Sequence, residues 1–141
     1  MRIAGVDYGD KRIGVSFSDI SGTLAGESFT IFVKNMDDAL NSLCEHIISR
    51  NTSEIVLGYP KHMNADIGDR AKRSEQIAEI LKEKTGLPVI LWDERCTTVD
   101  AHRILSETGY HGKGRRDKID SVAASLILQN YLDFKAIQNR R

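Results

Sequence analysis

The stretch IAGVDYGDKRIGVSFSD (residues 3–19) contains the first two strands of the chain and the turn that joins them. Residues 2–7 are an apolar run typical of a buried strand. Residues 12–18 alternate polar with apolar or small side chains, as a half-buried strand does. The turn at residues 8–11 between them predicts a hairpin. Asp7 ends the first strand, where a carboxylate is costly to bury unless it is paired or binds a cation.

Beyond this hairpin, helices alternate with strands. The spacing of apolar residues predicts further strands at 27–33, 54–60 and 89–94, and helices at 37–50, 69–85 and 97–108. A last helix with Ile119 on its inner face runs to the mid-130s, and the basic, glycine-rich segment YHGKGRR (110–116) before it is predicted to be a mobile loop. The order of elements predicts one α/β domain over residues 1–141, with a mixed sheet covered by helices.

The composition of the chain is neutral. Twenty Lys and Arg balance twenty Asp and Glu, which points to no class of partner but does not exclude nucleic acid, because clustering of cations matters more than their sum. The two cysteines are far apart, so a disulfide framework or a structural zinc site is not expected. With no signal peptide and no membrane-length apolar run, the expected location is the cytoplasm. Monomer and dimer both remain open.

Three carboxylates lie at the ends of predicted strands or near the start of a predicted helix. Asp7 closes the first strand, and WDERCTT (92–98) closes another buried strand with Asp93 and Glu94. Side chains alternate along a strand, so only one of these two can face the same place as Asp7. Asp120 falls near the start of an apolar helix, among residues small enough to pack closely on a sheet.

Each acid also has an ordinary interpretation, since an aspartate in a turn accepts amide hydrogen bonds and acids favour the first turn of a helix. Ligands, however, gather at the carboxyl ends of strands in open α/β sheets. Three hard oxygen ligands without thiolates or paired histidines are typical of a Mg²⁺ or Mn²⁺ site. Two such ions roughly 4 Å apart activate water and stabilise the leaving oxygen, so the pattern favours metal-assisted phosphodiester hydrolysis.

Basic residues accompany the three acids. We expect contacts with a phosphate backbone from the cations that flank Asp7 and Glu94 and from those that lead to Asp120, namely Lys11, Arg12, Arg95, Lys113, Arg115 and Arg116. A second group, Arg70, Lys72 and Arg73, opens a predicted helix and is interpreted as a solvent-exposed face. Few aromatic residues accompany these cations, which predicts recognition of the shape of the substrate rather than of its sequence.

Four blocks of the sequence resemble the YqgF/RuvX family in order and spacing: GVDYGDKRIGVSFSD, IVLGYPKHMN, DERCTT and DKIDSVAASLILQNYL. The resemblance covers nearly the whole chain. It implies an RNase H-like fold, in which a five-stranded mixed sheet with its first three strands antiparallel is flanked by helices. The catalytic acids of the family correspond to Asp7, Glu94 and Asp120. The chain departs from the family at residues 65–66, where a glycine is usual, and at Cys96, where leucine is.

The resemblance implies a Mg²⁺- or Mn²⁺-dependent endonuclease with two ions bound alongside the substrate. Members of the family are described as nucleases that mature the 5′ end of pre-16S ribosomal RNA and as Holliday junction resolvases. We favour the RNA precursor as substrate, with branched DNA as the alternative. Whether Asp93 or Asp117 assists, and how many ions bind without substrate, stays open.

Two other classes of protein compete with a nuclease. The first block also resembles the phosphate hairpin of actin-like ATPases, but those need two such lobes and this chain has one, without a P-loop. A non-catalytic RNA-binding factor for ribosome assembly is the second rival. A protein that only binds RNA gains nothing from clustering three carboxylates that repel one another, which favours the enzyme.

Overall fold

The computed structural model describes residues 2–59, 65–93 and 112–139. The strands are β1 (Arg2–Tyr8), β2 (Arg12–Ser18), β3 (Ala25–Phe32), β4 (Thr52–Tyr59) and β5 (Val89–Asp93). The helices are α1 (Met36–Ser49), α2 (Ala65–Thr85) and α3 (Gly112–Asn139). None of these three helices is both long enough and apolar enough to cross a membrane. The helix predicted at 97–108 lies outside the described residues.

The five strands form one mixed sheet in the order β3-β2-β1-β4-β5. β2 pairs antiparallel with β1 and with β3, whereas β4 lies parallel to β1 and to β5. This arrangement confirms the predicted mixed sheet with three antiparallel first strands. The chain leaves β1 towards β2 and leaves β4 towards β5, in opposite directions across the sheet. The carboxyl ends of β1 and β4 therefore form a topological switch point.

Helices cover both faces of the sheet. The larger core lies between the sheet and α1 with α2, where Val6 of β1 packs with Leu43 and Leu81. The other face packs against α3, where Ile3 of β1 joins Ile127 and Leu128 in a second buried cluster. Because side chains alternate along a strand, Gly5 and Asp7 share the α3 face with Ile3.

The contact between α3 and β1 is unusually close at Gly5. A Cβ atom at residue 5 would lie 2.7 Å from Cβ of Leu128 and 2.9 Å from the carbonyl oxygen of Ala124. Beside it, the buried Ser16 is paired with Gly5 across the strands and accepts a 3.1 Å hydrogen bond from Ser125 Oγ. The absence of a side chain at residue 5 therefore lets α3 lie directly on the centre of the sheet.

Helix α3 runs antiparallel to β1. Ile3 packs in the cluster that contains Leu132, whereas Gly5 contacts Ala124 and Leu128. Residue numbers therefore rise along β1 and fall along α3 in the same direction. The amino-terminal turns of α3 lie towards the edge of the sheet at which β1 ends.

The loop predicted for residues 110–116 is wrong from residue 112 onward, because α3 begins there. Each glycine costs a helix about 1 kcal/mol relative to alanine. Extending an existing helix by another turn is far less costly than starting one, so the packed part of α3 supports these turns. Helix α2 likewise begins at Ala65, four residues before its predicted start, since polar first turns lack the apolar spacing on which such predictions depend.

We expect Gly5→Ala to destabilise the protein by about 1–3 kcal/mol, because the added methyl group overpacks the contact between α3 and β1. Urea unfolding measures the change. Gly26→Ala is the matched control in the same sheet, since its Cβ would lie 3.5 Å from the nearest atom, the carbonyl oxygen of Phe17. We expect the control to stay within about 0.5 kcal/mol of the parent chain. Equal stability of the two variants would contradict this account of the packing.

Candidate active site at the carboxyl ends of the strands

Asp7 is the second-last residue of the central strand β1, and it is half-buried. It lies on the sheet face that α3 covers, and its antiparallel partner on β2 is Gly14. Residue 14, opposite the carboxylate, therefore contributes no side chain to this face. The structure thus places a hard oxygen donor, of the kind that Mg²⁺ and Mn²⁺ prefer, at the end of a buried strand.

The backbone at residue 120 approaches the same edge of the sheet as Asp7. Ala124 contacts Gly5, and residue 120 precedes Ala124 by four helical residues, which is about 6 Å along the axis. Asp7 lies two residues beyond Gly5, which is about 6.6 Å along the strand. Because α3 and β1 are antiparallel, both distances run in the same direction from the Gly5 contact, and they are nearly equal. Residue 120 of α3 is therefore level with Asp7 of β1. The side chain of Asp120 lies outside the described residues.

Strand β5 reaches the same edge. Trp92, half-buried on the α3 face, makes an edge-on contact with Tyr131 at 5.3 Å between ring centroids. Asp93 ends the strand and pairs with Tyr59 of β4. Glu94 and Arg95 lie outside the described residues, so the cluster of three acids stays a prediction. Among the side chains that the structure describes, no group of three Asp, Glu, His or Cys is arranged to hold a metal ion.

Two of the predicted cationic residues lie beside Asp7. Arg12 opens β2, is half-buried, and shares the α3 face with Gly14, the partner of Asp7. Lys11 is exposed in the turn, and its carbonyl oxygen accepts a 2.9 Å hydrogen bond from the amide of Val33. This bond ties the β1–β2 turn to the end of β3. Both residues are therefore held at the edge where β1 ends.

The other predicted cations belong to the first turns of α3. Lys113, Arg115 and Arg116 stand eight to eleven residues before Ala124, so the helix axis carries their backbone roughly 12–16 Å beyond that contact. Their side chains are outside the described residues. The structure thus replaces the predicted flexible loop with a basic helical extension that projects past the end of β1.

A cleft of about 290 Å³ lies at the same edge, on the α2 side of the sheet. Among the described residues it is lined by Tyr8, Gly9, Asp10, Gly58, Asp69, Arg70, Arg73 and Ser74. Sequence analysis did not identify this cleft. The available signal was the spacing of Arg70 and Arg73, because residues three apart are neighbours on a helix surface. Their interpretation as a solvent-exposed face is correct for exposure and incomplete for role, since both line the cleft.

Hydrogen bonds hold the side chain of Arg73 in place. Arg73 Nε donates to the Tyr8 hydroxyl at 3.0 Å, and that hydroxyl donates to Asp10 Oδ1 at 3.2 Å. Burial raises the pKa of the Tyr8 phenol above its ordinary value, although the nearby Arg73 opposes the shift. The hydrogen bond to Tyr8 raises the pKa of Arg73. Around neutral pH the phenol is therefore neutral and the guanidinium fully charged.

Two solved resolvase structures share this fold. Thermus thermophilus RuvC in complex with Holliday junction substrate superposes with a TM-score of 0.63 at 10% identity, covering 96% of each chain. The Fowlpox virus Holliday junction resolvase gives a TM-score of 0.60 at 15% identity, covering 95% of this chain and 99% of that one. At identities this low, the similarity shows the common fold alone. The superpositions confirm the predicted RNase H-like architecture.

Close relatives are found by sequence. The "Putative pre-16S rRNA nuclease" of Lachnospira eligens is 45% identical over 138 residues, covering 96% of this chain and 99% of the relative. The protein of the same name from Halothermothrix orenii is 41% identical over 135 residues, covering 96% of each chain. The profile of the family described as "RuvX: Holliday junction resolvase" matches residues 1–134. The chain therefore belongs to the RuvX family, as the four sequence blocks predicted.

Proposed function

We propose that this protein is a metal-dependent nuclease that hydrolyses phosphodiester bonds in nucleic acid. The main support is the position of Asp7, a half-buried carboxylate at the carboxyl end of the central strand. Open α/β sheets bind their ligands outside these strand ends. Arg12 on the same face and Lys11 in the adjoining turn supply cations for a phosphate backbone at that edge. A carboxylate among cations at a strand end suits a metal ion held against a phosphate.

We propose Asp7, Glu94 and Asp120 as the metal ligands. Residue 120 lies about as far from Ala124 along α3 as Asp7 lies from Gly5 along β1, which favours Asp120 as a ligand. Asp117 stands about 10.5 Å before Ala124, which is farther than Asp7 lies from Gly5. On β5, Ile90 and Trp92 both pack on the α3 side. A chain that stayed extended beyond Trp92 would carry residue 94 on that side and residue 93 on the other. This alternation favours Glu94 over Asp93.

Carboxylate oxygens fit Mg²⁺ or Mn²⁺, and we expect two ions when substrate is bound. When bound, the metal would supply Lewis-acid stabilisation of the leaving oxygen and a water of lowered pKa. The contribution of the chain is position. Asp7 is held by a strand hydrogen-bonded on both sides, and α3 covers the sheet next to it. Arg12 and Lys11 would bind phosphates that flank the cut.

We propose the 5′ end of pre-16S ribosomal RNA as the substrate, which would place the activity in the cytoplasm. Relatives at 41–45% identity over nearly their whole length have the name of that nuclease. The family description favours a second candidate, a Holliday junction in DNA. Similarity at full length is the stronger support, because the resolvase structures share only 10–15% of their residues with this chain.

Replacing Asp7 tests the mechanism. We expect Asp7→Asn to lower cleavage on the order of 100-fold or more, because loss of a metal ligand removes several kcal/mol of transition-state stabilisation. Cleavage is measured with an RNA that spans the 16S 5′ end and with a four-way DNA junction, each in Mg²⁺ and in Mn²⁺. The RNA should be the better substrate.

Binding serves as the counterpart of that cleavage assay. With EDTA present, the dissociation constant of Asp7→Asn for the RNA should stay within about twofold of the parent value. Glu83→Gln, which neutralises an exposed acid at the far end of α2, is the control and should cleave normally. Parent-level cleavage by Asp7→Asn would refute the mechanism, and cleavage of the junction alone would make DNA the substrate.

The basic start of α3 is tested by charge reversal. We expect the double variant Arg115→Glu with Arg116→Glu to bind RNA more weakly and with a flatter salt dependence, because two phosphate contacts are lost. Fluorescence anisotropy over a salt series gives both quantities. The control variant, Lys82→Glu with Lys84→Glu, makes the same change of net charge in the last turn of α2, away from the proposed substrate surface. An unchanged salt slope in the first variant would remove the start of α3 from the substrate surface.

A further inference from the structure

The cleft lies on the opposite side of the strand ends from Asp7. Tyr8 follows Asp7 in β1 and packs towards the core beneath α1 and α2. The cleft itself spans the ends of β1 and β4 and the adjoining part of α2. These two strand ends form the topological switch point, where open α/β sheets bind ligands. Gly9 of the hairpin and Gly58 of β4 contribute backbone to the wall of the cleft.

Arg73 is held in this cleft by a chain of two hydrogen bonds. Asp10 orients the Tyr8 hydroxyl, and that hydroxyl accepts the bond from Arg73 Nε. A carboxylate in the place of the phenol would neutralise the guanidinium, whereas a neutral phenol leaves its charge intact. With Nε engaged, the terminal nitrogens form the pair that binds two phosphate oxygens at once.

Other groups in the cleft set its charge. Arg70 stands one helical turn before Arg73 and lines the same space, as does Ser74, which is only 5% exposed. Asp10 and Asp69 on the rim balance the two arginines, so the cleft exerts little long-range attraction. Its preference for an anion would therefore depend on direct, charge-assisted hydrogen bonds rather than on the overall field.

We propose that this cleft binds a backbone phosphate of the substrate strand, with Arg73 and Arg70 as its ligands and Tyr8 and Asp10 as positioning residues for Arg73. The inference rests on the proposed function, because it takes nucleic acid as the substrate. Asp7 and Tyr8 are consecutive, with Cα atoms about 3.8 Å apart. A strand that crosses the end of β1 reaches the metal ligand on one side and the cleft on the other.

Binding in EDTA, without cleavage, tests the phosphate ligand. We expect Arg73→Gln to weaken binding of the same RNA by about tenfold and to make the salt slope shallower by about one, the effect of losing one phosphate contact. Lys72→Gln is the matched control, because it removes one exposed positive charge from the neighbouring position of α2. The control should change the affinity less than twofold. Equal effects of the two substitutions would overturn the proposal.

The positioning role of Tyr8 has its own test. Tyr8→Phe removes the hydroxyl and no charge, so we expect binding about threefold weaker with the salt slope unchanged. Because the hydroxyl acts through Arg73, the double variant of Tyr8→Phe with Arg73→Gln should bind no more weakly than Arg73→Gln alone. Additive losses would overturn this role. The melting temperature of each variant is measured as well, and we expect it to stay close to that of the parent chain.

The source of the phosphate is tested with small ligands. Thermal shifts of the parent chain and of Arg73→Gln are measured in inorganic phosphate and in ATP. Stabilisation of the parent chain alone, together with unchanged RNA binding by the variant, would make the cleft a site for free phosphate or nucleotide and overturn the proposal.

Failure of this proposal can be told apart from failure of the proposed function. If Asp7→Asn abolishes cleavage while Arg73→Gln binds like the parent chain, only the phosphate site is refuted. If Arg73→Gln weakens binding while Asp7→Asn still cleaves, only the proposed metal mechanism is refuted.

Discussion

Helix α3 lies against β1 where residue 5 has no side chain, and much of the structure follows from that contact. The approach of Ala124 and Leu128 to Gly5 brings the apolar side of α3 onto the sheet. It also partly buries the hydrogen bond that Ser125 donates to Ser16. Full burial of a leucine such as Leu128 contributes about 1.5–3 kcal/mol. The same contact fixes the position of α3 along β1, and so it brings residue 120 level with Asp7 at the end of the strand.

The pleat of β1 divides the edge of the sheet into two sides. Asp7 belongs to the α3 side, together with Arg12. Tyr8, the next residue, belongs to the α2 side and meets Arg73 there. On our proposals the first side cuts the substrate strand and the second side holds it. Both sides are anchored in one strand of the sheet, so the distance between them is set by backbone geometry rather than by a mobile loop.

The strands and Asp7 could be predicted from the sequence, because short apolar runs mark buried strands and alternation of polar and apolar residues marks half-buried ones. The start of α3 at Gly112 could not, since its first turns are polar, contain glycine and depend on packing farther along the helix. Glu94 and Asp120 were predicted as partners of Asp7, and their side chains lie outside the described residues. The cleft was missed because it joins a hairpin, a strand end and a helix turn that are distant in the chain. Only folding brings Tyr8 to Arg73.

The antiparallel packing of α3 on β1 also limits how the length of the chain can vary. A residue inserted between positions 120 and 124 would turn the preceding helix by 100° and shift it by 1.5 Å relative to the sheet. A residue inserted between Gly5 and Asp7 would move the aspartate to the opposite face. The turn at residues 19–24 is also tied to α3, because Gln129 Nε2 donates a 3.2 Å hydrogen bond to the carbonyl oxygen of Thr23. Insertions are therefore excluded from residues 5–7 and 120–124, the two short segments that set the distance from the centre of the sheet to its edge.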